Sequence, residues 1–124
     1  MAKIILLVIG SAAGGLARYS LGGLVHRFCG SAFPYGTLAV NLTGCFVIGF
    51  LAALADDKFF LGSQGRLLLM IGFCGAFTTF STFMLETSNL LKDGEVLRAF
   101  LNILASVVVG FLIFRLGTMV GDLI

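Results

Sequence analysis

Between Gly72 and Phe83 the chain reads Gly-Phe-Cys-Gly-Ala-Phe-Thr-Thr-Phe-Ser-Thr-Phe, which sets Thr78, Thr79, Ser81 and Thr82 among glycines and phenylalanines in an otherwise apolar stretch. Hydroxyl side chains compete for backbone hydrogen bonds and glycine weakens a helix, so a helical break is expected near residues 75–79. A break inside an apolar span frees carbonyl oxygens, and such oxygens can coordinate a cation. Beyond it, Phe80 and Phe83 are three residues apart and share a helix face, while Thr82 and Glu86 share an adjacent one. Phenylalanine normally serves packing. Here the rings border the hydroxyls of Ser81 and Thr82, and a ring turned edge-on presents its positive rim. Ring edges and hydroxyl donors together offer a small anion a path that needs no fixed buried positive charge.

Polar residues recur on the other helices at helical spacing. Thr37 and Asn41 are four apart; Arg98, Asn102 and Ser106 repeat at that interval with Gly110 continuing the line; Ser11 and Arg18 are seven apart. A polar group at bilayer depth is costly and marks a functional candidate. Interhelical hydrogen bonding would account for Asn41 alone, whereas narrow stripes on several helices fit the lining of a polar path better.

The elements that carry these residues follow from composition. Hydrophobic residues make up 59% of the 124-residue chain and charged residues only 11%, against about a quarter in a soluble domain. Lipid must be the solvent for most of such a chain, so the expected class is an all-α membrane protein. Four apolar stretches, roughly 4–26, 35–55, 66–92 and 96–121, each reach the ~20 residues a membrane helix needs. They form one transmembrane domain over residues 1–124. Pro34 suits the first turn of the second helix, Asp56, Asp57 and Lys58 begin the second loop and Gly62, Ser63 and Gly65 end it, and Gly94 fits a helix C-cap. Lys3 before an apolar run resembles a signal peptide, but the run continues through Arg18 to Val25 and is expected to be retained as the first helix.

Gly10 with Gly14, and Gly117 with Gly121, form GxxxG pairs that allow close helix approach in lipid. There are seventeen glycines in all, more small positions than four short helices can use internally, which favours an oligomer. Basic residues do not orient the chain. Lys3, Lys58, Arg66 and Arg115 fall to one side, and Arg18, Arg27, Lys92 and Arg98 to the other. A balanced count with short loops is what insertion in both orientations requires, and oppositely oriented copies could then pair.

Other chemistries find little support. Cys29, Cys45 and Cys74 match neither a zinc nor a CxxC spacing and read as small hydrophobes. His26 is the only histidine, so a hydrolytic triad or metal cluster has no basis, and the chain is not expected to be an enzyme. The basic residues are dispersed and form no nucleic-acid patch. Two rival readings remain. A small dual-topology proton-coupled exporter would need a membrane-embedded acid, for which only Glu86 is placed; a non-transporting scaffold subunit would use the glycines and stripes for assembly alone.

The Gly14-Gly15…Arg18-Tyr19 stretch, the Gly36–Gly44 stretch (GTLAVNLTG) and the Gly72–Phe83 stretch resemble the Fluc/CrcB bacterial fluoride channels in order and position along nearly the whole chain. The resemblance implies an antiparallel, dual-topology homodimer with two fluoride pores in the cell inner membrane, exporting cytoplasmic fluoride down its own gradient. It implies a structural sodium ion at the dimer centre, held by the backbone carbonyls of Gly75 and Thr78 at the break in the third helix. Phe80 and Phe83 would be the pore phenylalanines and Asn41 the pore asparagine. Ser81, Thr37 and Thr82 are further candidates for hydroxyl contacts, and Arg18 would raise anion concentration at a pore mouth.

Overall fold

The computed structural model describes residues 1–56 and 61–124, and every described element is helical. Of the residues placed above in the second loop, Asp56 is the last of one helix and Ser63 and Gly65 open the next, while Asp57 and Lys58 lie outside the described residues. Helix α1 spans Ala2–Cys29 and α2 spans Tyr35–Asp56. The third apolar stretch is divided into α3 (63–77) and α4 (Phe80–Lys92), and α5 spans Val96–Asp122. Among the described residues, four helical stretches are long and apolar enough to cross a membrane: α1, α2, α3 with α4, and α5, with mean hydropathies of 1.6, 2.1, 1.8 and 2.3.

Helix ends follow the local chemistry. Gly30, with φ of 78°, ends α1, its amide donating to the carbonyl of His26 at 2.9 Å. Pro34 precedes α2, and its carbonyl accepts from Leu38 at 3.1 Å. Gly94 takes φ of 77°, the amide of Gly94 reaches Leu91 and that of Glu95 reaches Leu90. This left-handed cap satisfies two terminal carbonyls of α4. At the far end of α2, Arg66 reaches back to the carbonyls of Ala55 and Leu61 and closes that end. Widened π-type turns occupy Arg66–Cys74 and Ala105–Val109.

Glycine sets the packing. A Cβ on Gly10 would land on the carbonyl oxygen of Leu68, and one on Gly14 on that of Phe73, so the first GxxxG pair seats α1 directly on the backbone of α3. Gly117 and Gly121 do the same for α5 against Phe46 and Phe50 of α2, with Gly49 meeting Phe114 in return. These contacts lie within one chain. The glycine count therefore carries no argument for an oligomer by itself, because two seams between parallel helices absorb both pairs. Gly15, Gly23 and Gly75 differ: a Cβ there would meet nothing within 4 Å.

Candidate functional site

The helix interruption lies at Thr78 and Thr79. Both residues are extended, with φ/ψ of −84°/156° and −148°/112°. Side chains have taken over the hydrogen bonds a continuous helix would make there. The amide of Thr79 donates to Oδ1 of Asn41 at 2.8 Å, and Nδ2 of Asn41 donates to the carbonyl of Thr79 at 3.0 Å. In an unbroken helix the Thr79 amide would close a turn onto the carbonyl of Gly75. The amide of Thr82 would close one onto Thr78, but it donates to Oγ1 of Thr79 at 3.3 Å, an N-cap for α4. The carbonyls of Gly75 and Thr78 have each lost their helical donor.

Hydroxyl directions follow from these bonds. Oγ1 of Thr78 donates back to Cys74 at 2.9 Å. Oγ1 of Thr79 accepts from the Thr82 amide and donates to Oγ1 of Thr82 at 3.0 Å. Thr82 accepts that bond, so its own O–H remains available to another acceptor. Thr37 is committed otherwise, since its hydroxyl donates to Oε1 of Glu86 at 2.8 Å. Oε2 of Glu86 is enclosed without a protein partner.

Two cavities meet at Thr79. One, of about 390 Å³, is lined by Asn41, Gly75, Thr78, Thr79 and Phe80 together with Cys74 and Gly44. The other, of about 220 Å³, is lined by Arg18, Thr37, Thr79 and Thr82 with Tyr19 and Gly22. Close approach makes both possible. A Cβ on Gly44 would strike the Thr78 side chain, and one on Gly36 would lie 2.7 Å from the carbonyl oxygen of Gly22. Glycine thus brings α2 up to the break on one side and up to the Arg18 segment of α1 on the other. A further cavity of about 460 Å³, lined by Tyr19, His26, Thr37 and Glu86, continues from the Arg18 side.

The predicted residues are therefore partly gathered. Asn41, Gly75, Thr78 and Phe80 share the first cavity; Arg18, Thr37 and Thr82 share the second. Phe80 is 73% exposed, while Phe83, its ring centroid 5.7 Å away and tilted by 54°, is buried within the chain. Ser81 is exposed and lines neither cavity. On α5 the polar stripe goes to packing at one point: Asn102, buried, donates to Thr87 at 3.0 Å, and Thr87 donates to the carbonyl of Phe83 at 2.7 Å. Oγ of Ser106 is enclosed without a partner. Arg98 reaches the carbonyl of Ala32 and the carboxylate of Glu95.

In sequence Thr79 is only one hydroxyl in a run; in the structure it is the hub. The available signal was Asn41 itself, whose amide carries one donor and one acceptor edge that match a peptide group. The pairing of Thr37 with Glu86 was likewise missed, being a contact between helices 49 positions apart in sequence. Among the described residues no group of three or more His, Cys, Asp or Glu could hold a metal ion. A cation at this site would depend on carbonyl oxygens.

Comparison with known proteins gives a consistent answer. Residues 5–118 match the family model described as CrcB-like protein, Camphor Resistance (CrcB). A protein of Dehalococcoides mccartyi (strain BAV1) named fluoride-specific ion channel FluC is 44% identical over 124 residues, covering 100% of this chain and 95% of that one. Proteins of the same name from Methylocella silvestris and Chlorobaculum tepidum are 47% and 46% identical, over 92% and 99% of this chain and 88% and 97% of theirs.

Proposed function

The chain belongs to the CrcB-like family, and from that premise we propose how it works as a fluoride channel: a multi-pass membrane protein that passes the ion down its gradient without chemistry. The observation that carries the reading is the arrangement at the break. Phe80 presents an exposed ring directly beyond two extended residues, in the cavity it shares with Asn41, and Thr82, in the adjoining cavity across Thr79, keeps a hydroxyl proton that is not engaged among the described residues.

Fluoride is small and tightly hydrated, and stripping its water in an apolar medium would cost tens of kcal/mol. Conduction needs donors that replace that water in steps yet release the ion. Arg18 beside the second cavity draws anions toward its mouth. The Thr82 hydroxyl and the second N–H of Asn41 are donors along the way, and the edges of Phe80 and Phe83 supply the positive rim between them. Ser81, exposed on the chain, would contribute only where another surface meets it. Thr37, its proton held by Glu86, would serve by fixing that carboxylate.

The working unit is an antiparallel homodimer with two pores, inserted in both orientations in the cell inner membrane. Its support is the balanced count of basic residues and the exposed ring of Phe80 beside an open face at Gly75. The carbonyls of Gly75 and Thr78, released from their helical donors, fit a sodium ion at the dimer centre. Such an ion would be structural, tying two helix breaks together with a charge that no side chain titrates. A C-terminal tag should then be labelled from both faces of the membrane in comparable amounts; labelling from one face alone removes the dual topology.

The function itself is tested with liposomes containing only this protein. Fluoride should leave rapidly once a potassium ionophore balances charge, while chloride, followed in parallel, stays inside. Retention of both ions would leave the scaffold reading standing, and equal loss of both would remove the selectivity.

A further inference from the structure

The bond pattern at the break gives Asn41 a second role beyond facing an ion. We infer that Asn41 is the clamp that creates the cation site: it holds both backbone groups of Thr79 and so prevents the Thr79 amide from closing a helical turn onto Gly75. This rests on the reading of Gly75 and Thr78 as cation ligands and names the residue that makes those oxygens available.

The geometry is that of a peptide surrogate. Oδ1 of Asn41 takes the Thr79 amide at 2.8 Å, and Nδ2 gives to the Thr79 carbonyl at 3.0 Å, the paired contact a neighbouring strand would make with one extended residue. Thr79 is extended, as that pairing requires. With a side chain unable to make these bonds at position 41, the cheapest partner for the Thr79 amide is the carbonyl four residues back, and α3 would run on through the break. Gly75 would then point its oxygen along the helix axis, already bonded, and the site would lose a ligand. Asn41 is thus a positioning residue for the cation site. Its remaining N–H and its remaining lone pair are left for other partners.

The test uses the purified, full-length dimer in two measurements. The first places a ¹³C=¹⁸O label on the Gly75 carbonyl and reads its infrared amide I band. In the unsubstituted protein, with sodium replaced by a large organic cation so that no ion lowers the band, it should lie above that of a helically bonded carbonyl; a helical position there overturns the clamp outright, whatever the variants do. In Asn41→Leu, close in volume, the band should move to the helical position. In Asn41→Asp it should stay where it was, because a carboxyl accepts from the Thr79 amide in either protonation state. The second measurement follows melting temperature as sodium replaces a large organic cation. Sodium should raise it in the unsubstituted protein and in Asn41→Asp, and the rise should be lost in Asn41→Leu. A sodium response kept in Asn41→Leu, with its Gly75 band unchanged, overturns the inference. No sodium response in the unsubstituted protein would instead strike the sodium reading, and the Gly75 band would still decide the clamp.

Discussion

The seam between α1 and α3 and the break between α3 and α4 both depend on glycine beside bare backbone, to opposite effect. At the seam, Gly10 and Gly14 let two helices meet with carbonyl oxygens of Leu68 and Phe73 where a Cβ would otherwise sit. Nothing larger fits, and each helix keeps its own hydrogen bonds. At the break, Gly75 faces open space, Asn41 and Thr79 have drawn amides away from the helix, and Phe80 stands exposed. In lipid, apolar side chains gain nothing by meeting, so close backbone packing must hold the bundle. That packing gives the break a rigid frame against which unsatisfied groups can be kept. One region supplies stiffness, the other supplies chemistry.

Substitution at the seam should have the largest effect. Gly14→Leu would drive a branched side chain into the backbone of Phe73, an overpacking that neither helix can relieve by a rotamer change, so little folded protein should be recovered on size-exclusion chromatography. Gly75→Ala should retain the helical content and show any damage as weaker dimerisation. Equal recovery of the two variants would erase the distinction between the regions.

Next come the rings. Phe80→Ile should leave a folded protein yet slow fluoride flux roughly a hundredfold, equivalent to about 3 kcal/mol at the barrier. Phe83→Ile should show a similar loss of flux and also a modest cost in stability, below about 1.5 kcal/mol, because Phe83 is buried within the chain. Phe80→Met should be milder, a polarisable thioether replacing the ring. Near-normal flux in both isoleucine variants would reduce the two rings to packing.

A smaller effect is expected where α4 meets α5. Thr87→Val leaves the buried Nδ2 of Asn102 without its acceptor, which should cost about 1–3 kcal/mol in a denaturation assay. Flux per folded protein should be unchanged, since this pair holds two helices together. A large loss of flux at unchanged stability would place the pair on the ion path. Arg18→Gln should have the smallest effect, a few-fold reduction in flux at low salt that fades as ionic strength rises. A loss independent of salt would mean that Arg18 touches the ion.

Much of this was legible from residue types. Composition and run length gave four spans, and the cluster of hydroxyls with glycine at 72–83 located the break to within a few residues. Pro34 and Gly94 marked helix ends through chemistry that acts locally. What escaped was whatever depends on contact across helices. The glycine pairs read as surplus small surface because sequence does not show that α3 and α2 lie against them. Asn41 read as a pore residue, and its grip on Thr79 could not be seen before α2 and the break were brought together. The stripe on α5 looked continuous, yet Asn102 turns to Thr87 while Arg98 turns to a loop carbonyl. Nothing in the residues of 66–74 announces the widened turns found there.

The central claim, passive conduction selective for fluoride, is tested most directly by the reversal potential across a planar bilayer holding only this protein. With a tenfold fluoride gradient at equal chloride and equal pH, the current should reverse about 59 mV from zero, the potential of a univalent ion at that gradient. It should stay there when a chloride or a pH gradient is added. A reversal that follows chloride would contradict selectivity, and one that follows the pH gradient would mean a coupled exporter built on Glu86.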